Sequence, residues 1–354
     1  MKSNKKKDFF DFFIDHLDAI NLENTRLAYP VRPIVIFCGG EKRENYPTVT
    51  YEAISTRTFA SLRECLISLY NQYIQKYLLF IPEQLKNWQD GNVFKDLLEF
   101  EVAFSHLSTV IVIITETPGS LVELGIFSAD KLNKDKLLII ANSQFSQTPS
   151  FINKGVFDYI RSSNEQAVKF FPINSYKENI HGAENPILID HEIAQEVFEE
   201  TNSFIEEKLK IKSCKFDIKN KTHFFSFLAE TIHMYRVVST KEIYEAVEYL
   251  NVHLLEDVFN KQDVKQFFML MRELDFLKLK TIGSNRFYHL DDDIGSIGRV
   301  RFSYKENKKH DKNRIMSEIK EYYEETCETD KASKTKLRII NEVYGDNTTT
   351  DNFF

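Results

Sequence analysis

An α/β domain on a Rossmann-like, flavodoxin-like parallel sheet, followed by a mainly helical winged helix-turn-helix domain, is what this 354-residue sequence predicts. Three observations carry the prediction. Short β-branched runs recur between helical stretches over residues 30–175. These runs do not alternate apolar with polar, so they belong to strands buried on both faces, as in a parallel sheet covered by helices. Beyond residue 221, three helical patterns precede a hairpin pattern, the order of a winged helix-turn-helix.

Residues 8–20 form a short amphipathic helix in an N-terminal segment, 1–29. The first strand is Ile34–Cys38, bounded by Pro33 and by Gly39-Gly40. A helix over 56–74 follows, with Phe59, Leu62, Leu66, Leu69, Tyr70 and Tyr73 on its apolar stripe. Tyr77–Ile81 is the second strand, stopped by Pro82, and 93–107 the next helix. Val110–Ile114 is the third strand, 120–132 a helix, Leu137–Ala141 the fourth strand, and Lys169–Phe171 a short fifth. In such sheets ligands bind beyond the carboxyl ends of the strands, so the residues after Cys38, Ile81, Ile114 and Ala141 are expected to line a site. A linking helix over 188–210 lies within a 176–220 linker. The second domain, 221–300, carries helices over 222–236, 240–250 and 261–274 and a hairpin of 277–280 with 286–290. A charged helical tail, 301–354, ends in residues expected to fray beyond Tyr344.

Bulk properties narrow the function classes. A net charge of -7 argues against a protein that coats nucleic acid over its whole surface. Cys38, Cys65, Cys214 and Cys327 are far apart with no CxxC pair, which fits reduced thiols in a cytoplasm better than zinc or a disulfide framework. The nine histidines are scattered and form no HExxH, so metal catalysis gains no support. No apolar run approaches membrane-spanning length. A soluble cytoplasmic protein is expected.

The chemistry is sought after the third strand, in Thr115–Gly125. Ser120-Leu121-Val122-Glu123 has the spacing of a capping box, with Ser120 at the N-cap and Glu123 at N3. Yet the helix starts where parallel sheets bind ligands, and Gly119 and Gly125 leave room for a substrate. Glu123 could instead attack the anomeric carbon of a ribosyl group, or stabilise an oxocarbenium-like transition state. Glu101 falls on the apolar stripe of its helix, where a charge is costly unless it meets a partner or a cavity. It is either a paired structural carboxylate or a second site carboxylate. Gly39-Gly40 could turn backbone N–H groups toward an anion or make a plain tight turn, and neither GxGxxG nor a P-loop is present. Arg57, at the start of the next helix, could bind phosphate or be a surface cation. Asn153 could hydrogen-bond a base or cap a turn ahead of Gly155. On the C-terminal side, Lys278, Lys280, Arg286, Arg299 and Arg301, with Lys305, Lys308, Lys309, Lys312 and Arg314, could meet phosphates or form a solvated face.

Taken together, Cys38-Gly39-Gly40 after a strand, Pro118-Gly119-Ser120 leading to Glu123-Leu124-Gly125, and Ser150–Gly155 resemble the retron effector proteins. These have a nucleoside 2-deoxyribosyltransferase-like N-terminal domain and a winged-helix C-terminal domain. The resemblance covers residues 30–160 well and the C-terminal half mainly in architecture. It implies an antiphage toxin that hydrolyses N-glycosidic bonds of NAD or (deoxy)nucleotides, with the nucleotide as substrate and no separate cofactor. It also implies partners: a reverse transcriptase and its multicopy RNA-linked single-stranded DNA (msDNA), in a homo-oligomer or larger assembly. Glu123 matches the motif glutamate and Glu101 a glutamate on the preceding helix; Arg57 and Asn153 also match. The insertion Glu41–Thr56 and the charged tail depart from the pattern. A non-catalytic module that senses a nucleotide and binds nucleic acid is the alternative.

Overall fold

In the computed structural model the described residues are 8–30, 32–44, 46, 48–73, 76–85, 92–147, 149–173, 187–255, 258–290, 298–306 and 311–344. Lys308, Lys309 and the tail beyond Tyr344 lie outside them. The chain divides into two compact units, Pro30–Lys212 and a second made of Met1–Tyr29 with Ser213–Phe354. The chain opens in the second unit with α1 (Phe9–Ala19) and β1 (Arg26–Ala28).

The α/β unit follows. Its elements are β2 (Ile34–Cys38), α2 (Tyr51–Ile54), β3 (Thr58–Phe59), α3 (Leu62–Tyr70), β4 (Leu78–Phe80), α4 (Leu97–Leu107) and β5 (Val110–Ile114). Then come α5 (Pro118–Ala129), β6 (Leu137–Asn142), a π-helical segment Ile152–Phe157, α6 (Asp158–Arg161), β7 (Val168–Phe171), β8 (Ile187–Leu188) and α7 (His191–Lys210). Five strands pair in the order β4-β2-β5-β6-β7, all parallel. In the sheet's own sequence that is the doubly wound order 2-1-3-4-5, whose switch point lies between β2 and β5. Every residue of β2, β5 and β6 is buried, as their unbroken apolar runs require.

Two readings of this unit change. The helix expected over 56–74 starts only at Leu62, capped by Ser61, because Thr58-Phe59 pair instead with β8. The segment taken for a link, α7, belongs to the α/β unit: Ala194, Val197, Phe198, Phe204 and Ile205 are buried, and the Phe198 ring packs on Tyr51, Tyr70 and Tyr73.

The second unit resumes with β9 (Ser213–Lys215), α8 (Lys221–Tyr235), β10 (Val238–Ser239), α9 (Thr240–Leu250) and α10 (Lys261–Glu273). It ends with β11 (Leu277–Ile282), β12 (Asn285–Leu290), β13 (Arg299–Arg301), α11 (Lys312–Thr326) and α12 (Lys331–Tyr344). Three helices thus precede a hairpin, and β10 adds to it in the order β10-β12-β11. A second sheet, β13-β1-β9, gathers strands from three distant parts of the chain. Within the charged tail, residues 311–344 are folded: Ile315, Ile319, Tyr323 and Ile339 are buried, and buried Lys336 reaches Glu242 and the Tyr323 hydroxyl.

The basic residues proposed from sequence for nucleic acid do not act as one set. Arg299 holds the buried Glu230 through Nε at 2.7 Å, and Lys312 binds the same carboxylate. Lys278 pairs with Asp275 and Lys280 with Glu342. Three of the five are therefore tied up in ion pairs, whereas Arg286 and Arg301 are exposed. Among the described residues no helix is long and apolar enough to cross a membrane.

Candidate active site

The switch point brings together the chain leaving β2 and the chain leaving β5. After β5, Thr115 closes against the sheet and Thr117 caps α5. Thr117 Oγ1 accepts from Ser120 N at 3.2 Å, and Ser120 Oγ accepts from Thr117 N at 3.1 Å. The capping box is therefore Thr117 with Ser120, one turn earlier than the spacing suggested. Pro118 occupies the first turn, where its missing N–H costs nothing. This displacement releases Glu123 from capping and places it in the second turn of α5.

Glu123 faces Glu101 of α4 closely enough for the two charges to interact. Burial first, then the Glu101 charge, push Glu123 up to about 7 against the pull of Arg63. Burial and the Glu83 charge push Glu101 up to about 7, again against Arg63. The Cys38 thiol, at the buried end of β2, donates a hydrogen bond to the Glu123 carboxylate. Burial holds the thiol itself well above its usual range, with the Glu123 charge adding to this, so Cys38 stays protonated as a donor.

The cation of the cluster is Arg63, which sequence reasoning passed over. Its side chain is buried, donating to the Phe37 carbonyl at 3.0 Å, the Gly40 carbonyl at 3.2 Å and both oxygens of Glu83 at 2.6 Å. Arg57 is exposed in the turn ahead of β3, because the helix it was expected to open begins five residues later. Arg63 could have been found by the argument that singled out Glu101, since it too interrupts an apolar helix face. Glu83 follows β4 at a carboxyl end, where site residues were expected.

Glu116, between β5 and α5, was also missed. Its carboxylate accepts from Gly40 N at 3.1 Å, Leu62 N at 2.6 Å and Arg63 N at 3.2 Å. The anion at the start of α3 is thus the protein's own. This settles the double glycine: a Cβ on Gly40 would lie 2.6 Å from Ser61 Cβ and 2.9 Å from Glu116 Oε2. Gly39 and Gly40 permit close packing on α3, and the Gly40 N–H faces Glu116 rather than a ligand. Asn153 is buried and donates from Nδ2 to the Ser146 carbonyl at 3.2 Å, bracing the turn after β6. Pro118 and Gly119 are exposed in the first turn of α5, while Ser120 is buried.

A pair of raised carboxyls, a fixed thiol donor and a buried guanidinium at the switch point form a site suited to acid–base work on a polar ligand. Residues 60–279 match the family described as STM3845 retron effector protein, and the match includes Arg63, Glu83, Glu101, Glu116 and Glu123. The chain belongs to this family. This retron effector is similar to two Escherichia coli proteins. To the "Retron Ec73 putative ribosyltransferase/DNA-binding protein" it is 27% identical over 154 residues, 42% of this chain and 45% of the relative. To the "Retron Ec86 putative ribosyltransferase/DNA-binding protein" it is 32% identical over 112 residues, 30% of this chain and 36% of the relative. The aligned parts of this effector span less than half the length of either relative.

Proposed function

We propose that this retron effector hydrolyses N-glycosidic bonds of NAD or of (deoxy)nucleotides, with Glu123 and Glu101 as its reacting carboxyls. The observation that carries the reading is the pair of carboxyls, both pushed up to about 7, beside Arg63 at the switch point. The ribosyltransferase wording of the two relatives supports the same bond. The bond between the anomeric carbon and the base nitrogen breaks, and its electron pair leaves with the base. The ionised carboxyl of the pair stabilises the oxocarbenium-like charge, or attacks it to give a glycosyl ester. The protonated carboxyl gives its proton to a base that needs one. Once ionised, it takes a proton from the water that adds to the anomeric carbon. NAD or the nucleotide is consumed as substrate, and no separate cofactor is required.

The wider setting belongs to the same proposal. The chain acts as a cytoplasmic antiphage toxin, restrained by a reverse transcriptase and msDNA within a homo-oligomer or larger assembly. Helices α8–α10 with β11–β12 form a winged helix within the unit that contacts nucleic acid. A module that only senses a nucleotide is less well supported, because Glu116 already occupies the N–H groups that would meet a phosphate. The test is release of nicotinamide or free base by the wild-type chain and its loss in Glu123→Gln. A variant that hydrolyses as fast as the wild type would sink the proposal.

A further inference from the structure

In the sheet β13-β1-β9, Arg26 of β1 stands directly opposite Arg301 of β13 on one side and Lys215 of β9 on the other. Residues directly opposite share a face, so three cations form one row across neighbouring strands, each about 5 Å from the next. All three are exposed, and among the described residues none of them makes an ion pair. Two residues along, Arg299, Ala28 and Ser213 lie on the same face, so none of its strand residues is an acid, and the carboxylate that reaches it, Glu230 of α8, is held by Arg299. The opposite face carries buried Leu27 and Val300, which hold the strands on the core.

Like charges directly opposite on paired strands destabilise a sheet. The row does nothing for the fold that threonine or valine would not do better. Beside it, a cavity of about 280 Å³ is lined by Arg299, Arg301, Tyr304 and Lys312. Glu230 neutralises Arg299 and Lys312 there, but Arg301 faces the cavity uncompensated. In a chain of net charge -7, this concentration of cations is local and directional.

We propose that this face binds a nucleic-acid phosphate backbone, with Arg26, Lys215 and Arg301 each neutralising one phosphate and the cavity at Arg301 receiving the chain as it leaves the row. The proposal rests on the reading that this effector works with nucleic acid, and it moves the contact from the β11–β12 hairpin to a sheet no single stretch of sequence contains.

The experiment measures binding of the full chain to a fluorescent single-stranded DNA oligonucleotide, and to its duplex, over a range of salt. Wild type is compared with the triple variant Arg26→Gln, Lys215→Gln, Arg301→Gln and with Arg286→Gln on the hairpin. Counterion release predicts that the triple variant flattens the slope of log K against log salt by about 2 for a single strand, or about 3 for a duplex. Its affinity should fall about tenfold or more at low salt, while Arg286→Gln leaves slope and affinity unchanged. The triple variant should melt no lower than wild type, since the row repels itself. Unchanged binding by the triple variant, with wild type bound, overturns the row alone. No binding by wild type to either probe overturns the nucleic-acid reading with it. If the triple variant melts well below wild type, Arg301→Gln alone is read in its place: a slope flattened by about 0.7 for a single strand or about 0.9 for a duplex supports the proposal, and an unchanged slope overturns it.

Discussion

Two carboxyls held at about 7 carry roughly one proton between them at neutral pH, and the leaving group decides what that proton is for. The nicotinamide of NAD leaves as a neutral base without being protonated. Its hydrolysis needs only ionised carboxyls, so kcat/KM should rise through about pH 7 and then level off. The base of an ordinary nucleotide leaves far better when protonated, so its hydrolysis should give a bell with its maximum near pH 7. A pH–rate profile on each substrate therefore separates the two chemistries. Stability should respond as well. Each carboxyl is raised above its unfolded value, so the folded chain holds more protons than the unfolded chain between about pH 4.5 and 7. Stability contributed by the protonated forms is full below that window and lost as pH rises through it. Glu123→Gln cannot ionise, and should stabilise the chain by about 1–2 kcal/mol at pH 8, after discounting for partial exposure, with little change at pH 5. Thermal melting at the two pH values checks this; equal shifts at both would contradict it.

At the scale of elements, the apolar runs made the sheet legible, because strands buried on both faces leave a signal that helices and turns do not interrupt. Ile34–Cys38 and Val110–Ile114 are strands over the expected residues. Helix starts were less legible, since a cap is chosen by geometry among several eligible side chains. Ser120 looked like an N-cap, but Thr117 holds that role, with Pro118 in the first turn and Ser120 at N3. Glu101 was legible because it breaks an apolar stripe, and Glu123 by its place after β5. Glu116 was not, since its partners are backbone N–H groups of α3 and Gly40, which leave no trace in a side-chain pattern. Gly125 was read as room for substrate, yet a Cβ there meets nothing within 4 Å and the residue is exposed. Gly125→Ala should therefore stabilise α5 by about 0.4–1 kcal/mol without changing turnover; a large loss of activity would restore the reading as a contact position. In the second unit, Arg299→Ala should cost about 2 kcal/mol in denaturant unfolding, because it strips one of two cations from the buried Glu230. A neutral effect would mean that Lys312 alone satisfies that carboxylate.

Over the whole molecule, two charge clusters lie in two folded units: acidic groups at the switch point of Pro30–Lys212, and cations without an ion pair among the described residues on the sheet of the unit made of Met1–Tyr29 and Ser213–Phe354. The net charge of -7 conceals both, because it averages over them. Residues 311–344 of the tail, charged in sequence, complete a core around Tyr323 and Ile339. Membership of the retron effector family fixes the lineage, and the raised pair Glu101 and Glu123 gives that lineage a candidate reaction. The most direct test is to quantify nicotinamide, free bases and ribosyl products extracted from cells producing the chain alone, wild type against Glu123→Gln at matched protein levels. The expected result is accumulation of base and ribosyl product with wild type and at least about a hundredfold less with the variant. Equal accumulation with both, or none with the wild type, would contradict N-glycosidic cleavage by Glu123.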